Sequence, residues 1–198
     1  MTGYKKLYEG MSKAAWGYFF LYVNINLGTV SILPTFVGYI MLLNTIKLLQ
    51  DEERELALLW KLGDILATWY FVVWLASWVG VNLDGAWPVV EIIVSVVKLY
   101  FHFQLLTNFA SIVERYQLDG SRYHEKLLVY RTVQTVLLTA NMIITKLYPW
   151  FSQIANFVSV VLVLINFIVC ICLMSLLFKI RRHFGNSLKN GVKHFGNS

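Results

Sequence analysis

Charge is what this sequence has least of. Asp, Glu, Lys and Arg make up 14% of its 198 residues, against about a quarter in soluble domains. That excludes a charge-rich disordered chain and argues against a set of soluble domains. Cysteine occurs twice, at Cys170 and Cys172. Two residues apart on a helix, they point away from each other, so no disulfide joins them. Proline occurs at Pro34, Pro88 and Pro149, each expected near a turn. His102 is the one histidine inside an apolar run, which excludes a His-rich metal site and bis-histidine haem ligation within one chain. The motifs Gly-x-Ser-x-Gly, His-Glu-x-x-His and Gly-x-x-x-x-Gly-Lys are missing, and with them the serine-hydrolase, zinc-peptidase and phosphate-loop chemistries. Lys5, Lys6 and Lys13 are not followed by a short apolar region with a small-residue cleavage site, so no cleavable signal peptide is expected.

What is present is apolar and aromatic. The hydrophobic fraction is 58%, with 7 Trp and 11 Tyr, and the mean hydropathy is +0.59. Trp and Tyr in such numbers suit belts at the two membrane surfaces. Apolar runs at about 14–31, 34–49, 62–80, 88–110, 127–147 and 151–178 predict an all-α polytopic membrane protein: six transmembrane helices as three hairpins in one domain over 1–180, with a basic tail over 181–198. The first pair is short. Only 36 residues run from Ala14 to Leu49, where two spans need about 20 each. Either both helices are clipped, or Asn24–Pro34 is partly unwound at membrane depth.

Lys and Arg cluster at 5–13, 47–61, 115–131 and 179–193, while 24–33, 81–88 and 147–150 hold none. The positive-inside rule then puts both termini on the cytoplasmic side of a cytoplasmic (inner) membrane. The same placement accounts for the net charge of +6 with no nucleic-acid partner.

The helix expected from Trp87 to Gln117 carries the candidate site. At 100° per residue, Glu91, Ser95, Lys98 and His102 fall within about 60° of one another. A central lysine costs about 2.5–3.5 kcal/mol on insertion, and the Val, Ile, Leu and Phe residues between 89 and 109 return about 4–8 kcal/mol. Ionisable groups at that depth usually face the bundle interior and mark a solute or proton path. The competing expectation is an ion-pair network, Lys98 with Glu91 or with Asp64, that only locks helices together. A second polar patch lies at Asn24 and Asn26, beside Gly28. Lys146 is expected to snorkel to the surface, or to pair with Asp84 or Glu91. Asp64 is expected to pair with Lys61 or to face the bundle. The repeated RHFGNS and KHFGNS at 182–187 and 193–198 form either a mobile tail or a segment resting on anionic lipid.

Glu52-Glu53 resembles the start of the paired-glutamate motif of glutamate-type intramembrane proteases, but Ala57 stands where that family has arginine. Size and six-span layout resemble the substrate-binding components of vitamin uptake transporters in architecture alone. Two functions are expected from these residues: a small-solute or ion carrier or its substrate-binding subunit, or a non-enzymatic accessory, assembly or immunity protein whose buried charges are structural. No catalytic residue, metal or cofactor is expected. The expected partners are the lipid bilayer, a small polar or ionic ligand and a second membrane protein.

Overall fold

The computed structural model describes residues 2–23, 26–27, 30–31, 34–81, 83, 86–116, 122–147 and 152–195. These form helices α1 (Thr2–Tyr22), α2 (Thr35–Leu49), α3 (Glu55–Trp78), α4 (Pro88–Arg115), α5 (Tyr123–Leu147) and α6 (Ser152–Phe195), with strands β1 (Asn26–Leu27) and β2 (Val30–Ser31) between α1 and α2. Each helix packs on its sequence neighbours, and α6 closes on α1. The six helices therefore form a ring in chain order.

Four of them, α3 to α6, contain a stretch long and apolar enough to cross a membrane, as an integral membrane protein requires. Helix α2 has 15 residues, about 22 Å, against a hydrocarbon layer of about 30 Å. Its first turn brings the Phe36 ring within 5.1 Å of Phe71 and 5.4 Å of Trp74. The start of α2 is thus level with α3 about one turn short of its end at Trp78. The antiparallel pair Asn26↔Ser31 and Leu27↔Val30 precedes α2, and β2 packs on α3. Asn, Gly, Ser and Pro are weak helix formers, and here the backbone bonds strand to strand instead. Asn24, Gly28 and Thr29 lie outside the described residues.

Several boundaries differ from those expected. Helix α1 begins at Thr2 and ends at Tyr22, not at 14 and 31. Helix α3 begins at Glu55, α4 runs on to Arg115, and α6 runs on to Phe195, so most of the expected tail is helical. Apolar runs mark only the part of a helix that lipid or core can cover. Polar residues with good helix propensity extend it beyond that part.

Local signals set the helix ends. Pro88 occupies the first turn of α4, where its missing N–H is not needed. Helix α3 stops at a Schellman motif. Gly80 has φ +73°, and the Gly80 and Val81 amides donate to the Ser77 and Ala76 carbonyls at 3.2 and 3.0 Å.

The buried core lies toward one end of the ring. It covers Leu7–Tyr18 of α1, Tyr39–Leu49 of α2, Leu56–Ala67 of α3 and Cys170–Phe184 of α6. On α4, Val94 is the only buried residue before Phe101. The opposite half exposes Phe71, Leu75, Trp78, Ile93, Phe157 and Ile168, side chains that suit lipid and not water.

The packed end, where α1 begins, is also the basic end, and a charged collar closes it. Lys6 pairs with Asp51 at 2.7 Å. Arg115 pairs with Glu53 at 2.9 Å and donates to the Glu52 carbonyl. Ser111 donates to Glu53 at 3.0 Å. Tyr116 donates to Glu52 at 2.7 Å, and its ring meets Tyr4 and Phe184 at 5.4 and 6.0 Å. Burial, followed by the hydrogen bond to Glu52, pushes the Tyr116 hydroxyl up to about 12. A pKa raised in the folded state favours the fold while the phenol is protonated. That contribution is complete below about pH 10, the unfolded tyrosine value, and is lost as pH climbs through 12. Thermal melts of wild type and Tyr116→Phe should therefore converge between about pH 10 and 12. A constant gap between the two across that window would contradict the assignment.

Candidate functional site

His102 stands near the middle of α4, about 21 Å along the helix from Pro88 and about 20 Å from Arg115 at 1.5 Å per residue. It is 2% exposed. Its Nδ1 lies 3.3 Å from the Tyr18 hydroxyl of α1. One proton joins the two atoms, and the imidazole tautomer sets whether Nε2 donates or accepts. Tyr39 of α2 contacts the His102 ring at 6.1 Å and stacks on Tyr70 of α3 at 5.3 Å, 12° from parallel.

One turn along α1, Tyr22 stacks on Tyr18 at 6.4 Å, 9° from parallel. The Tyr22 hydroxyl accepts from the Gln134 side-chain amide of α5, and Asn166 of α6 reaches it as well. The Cys170 thiol donates to the Tyr18 carbonyl at 3.7 Å. All six helices thus contribute to one aromatic and amide cluster. Toward the basic end, Arg131 donates to Thr107 at 3.1 Å and lies 4.5 Å over the Phe103 ring. Gln104 donates to Asn108 at 3.2 Å and to Glu55 at 2.8 Å.

The cluster is not closed on itself. His102 Nε2, Gln134 Oε1, Asn166 Oδ1, Asn108 Nδ2 and Arg131 Nε are buried and have no hydrogen-bond partner among the described residues. A buried polar atom without a partner costs about 1–3 kcal/mol, so such atoms mark places where a small polar species is held. Gln134 and Asn166 offer carbonyl oxygens, which accept. His102 supplies a nitrogen of either sense, and Arg131 supplies a cation beneath. That combination can hold a small molecule bearing both donors and acceptors. No group of three or more His, Cys, Asp or Glu that could hold a metal occurs among the described residues.

The residues singled out in sequence are placed as follows. Glu91, Ser95 and Lys98 are half-buried, and His102 alone of that stripe is buried. Ser95 donates to the Glu91 backbone carbonyl at 2.7 Å, so its hydroxyl bonds its own helix. Lys98 forms no ion pair with Asp64 among the described residues. Asp64 is exposed on α3, turned away from the bundle. Asn26 lies in β1; its side chain, like that of Lys146 on α5, is outside the described residues. Tyr18, Tyr22, Gln134 and Asn166 were not singled out. Gln134 and Asn166 interrupt the apolar runs of the fifth and sixth spans, a signal that was available. The tyrosines gave none, since Tyr serves equally in core and membrane surface.

No known protein family, characterised protein or solved structure matches the chain.

Proposed function

We propose that this protein crosses a cytoplasmic membrane six times, with both termini inside, and binds a small polar or ionic solute as a carrier or as the binding subunit of one. The basic clusters support that orientation. The first hairpin crosses as α1 and the short α2, with the antiparallel strand pair between them and β2 packed against α3.

One observation carries the functional proposal: unspent hydrogen-bonding capacity on His102, Gln134 and Asn166, from three helices, at mid-depth in a very apolar chain. A network that served only to lock helices would be expected to satisfy its own members. The site is therefore centred on His102, Tyr18, Gln134 and Asn166. Glu91 and Lys98 sit one to three turns above His102 along α4 and line the approach, where Lys98 favours an anionic group.

The test is thermal unfolding of the purified protein in nanodiscs against a panel of monovalent cations, amino acids, short carboxylates and polyols. A solute at about a hundred times its Kd adds about 2.7 kcal/mol, or about 5–10 °C for a chain of this size. Gln134→Leu and His102→Phe should each insert normally and erase the shift. If no solute shifts the wild type and Gln134→Leu lowers its midpoint, as loss of the bond to Tyr22 requires, the amides are structural. The accessory function then stands instead.

A further inference from the structure

We infer that the groove between α1 and α6 at the basic end is a binding site for the phosphodiester headgroup of an anionic lipid. The groove has a volume of about 430 Å³ and is lined by Tyr8, Phe178, Arg181, Arg182, Gly185 and Asn186, with Leu188 beside them. It is separate from the interior cluster around His102.

Arg181 is held for this task. Its guanidinium lies 4.8 Å over the Tyr8 ring and 5.8 Å from the Phe178 ring, and it donates to the Tyr8 hydroxyl at 2.6 Å. The Tyr8 hydroxyl occupies one of its N–H groups, and the remaining ones are left to bond phosphate oxygens in the groove that Arg181 lines. Arg182 is exposed next to it. Among the described residues, neither arginine has a carboxylate within ion-pair distance, so two positive charges share one concave site. Gly185 shapes the site. A Cβ there would stand 3.2 Å from the Tyr8 ring, so a side chain at this position would crowd the ring that holds Arg181.

The level is right for a lipid headgroup. The apolar run of α6 ends at Phe178, and Lys179, Arg181 and Arg182 follow at once. Basic pockets between membrane helices at this level take anionic headgroups. Trp16, 44% exposed, meets Phe178 edge-on at 5.8 Å. It extends an apolar wall from the groove toward the bilayer, on which an acyl chain can lie. Free phosphate shares the anionic chemistry but cannot use that wall.

The experiment uses the full chain, delipidated in neutral detergent micelles. It is titrated separately with phosphatidylglycerol, phosphatidylcholine and inorganic phosphate, with the unfolding midpoint and lipid retention by native mass spectrometry as readouts. Phosphatidylglycerol should raise the midpoint, and the other two should not. Arg182→Gln should weaken the apparent phosphatidylglycerol affinity about fivefold, and the Arg181→Gln, Arg182→Gln pair about 25-fold, at about 1 kcal/mol per basic residue. The pair Lys5→Gln, Lys179→Gln removes the same charge from exposed positions outside the groove and should leave the affinity unchanged. Arg182 makes no hydrogen bond or ion pair among the described residues, so its variant tests the site even if Arg181→Gln does not fold. The inference is overturned if the lysine pair costs as much as the arginine pair, if phosphate matches phosphatidylglycerol, or if the wild type does not prefer the anionic lipid.

Discussion

Gly38→Ala should loosen the α1–α2 hairpin and destabilise the protein by about 2 kcal/mol net. The two helices touch backbone to backbone at this level. A Cβ on Gly38 would stand 2.8 Å from the Gly17 carbonyl oxygen and 2.8 Å from Leu21 Cγ. A backbone oxygen cannot rotate aside, so α1 itself must move. Alanine gains about 1 kcal/mol over glycine in helix propensity. Overpacking a buried contact costs about 1–3 kcal/mol and occasionally more, and a clash with main chain belongs at the upper end. Gly17→Ala meets the Gly38 carbonyl at 3.1 Å, and its nearest contacts are Leu42 side-chain atoms, which can yield. It should therefore cost less. For Gly10→Ala the three nearest atoms are all in the Leu49 side chain, at 2.8–3.0 Å, although Thr45 also donates to the Gly10 carbonyl at 3.2 Å. Thermal unfolding in micelles checks the ranking. A Gly38→Ala protein as stable as wild type would contradict the close approach. The consequence reaches the candidate site, because Tyr18 follows Gly17. Displacing α1 there breaks the 3.3 Å contact of Tyr18 with His102.

Phe101→Ala should cost about 3–5 kcal/mol, the usual loss when a buried phenylalanine leaves a cavity. Phe101 is fully buried and packs edge-on against Tyr39 at 5.9 Å. Its ring fills the notch that Gly63 leaves in α3. A Cβ on Gly63 would stand 3.0 Å from Phe101 Cε2 and 2.7 Å from Leu43 Cδ2. Gly63→Ala should therefore destabilise the wild type but be better tolerated in Phe101→Ala, where half of its clash is gone. Contacting residues couple by about 0.5–3 kcal/mol in a double-mutant cycle. Additivity within about 0.5 kcal/mol would mean that the ring and the notch do not depend on each other.

His102 was legible in the sequence because a histidine inside an apolar run needs an explanation whatever surrounds it. Its companions on the helical wheel were a poorer guide. Angular position puts Glu91, Ser95 and Lys98 on the face of His102, but burial also depends on how far along the helix the neighbours pack. Along α4 the core starts in earnest at Phe101, so the same stripe is buried at His102 and only half-buried above it. Gly3, Gly10 and Gly17 stand seven apart on α1 but do not read as a contact motif in the sequence. Glycines at heptad spacing mean close packing only when a partner helix offers matching relief, and Gly38 becomes that relief only once α2 lies antiparallel on α1. Arg181 beside Tyr8, and Gln134 beside Tyr22, join residues more than a hundred positions apart, and no local pattern reports such pairs.

Membrane embedding followed from the sequence alone, because hydrocarbon admits only long apolar segments whose backbone bonds are satisfied within the protein. For the first two helices the sequence left two readings, a pair of clipped helices or an unwound segment between them, and the structure has a short α2 together with a strand pair. What only the tertiary structure decided was which polar groups meet. Rotation of each helix about its axis, and its shift along that axis, are set by side chains fitting across interfaces. Those fits brought Tyr18, Gln134 and Asn166 to the level of His102 and turned Asp64 outward.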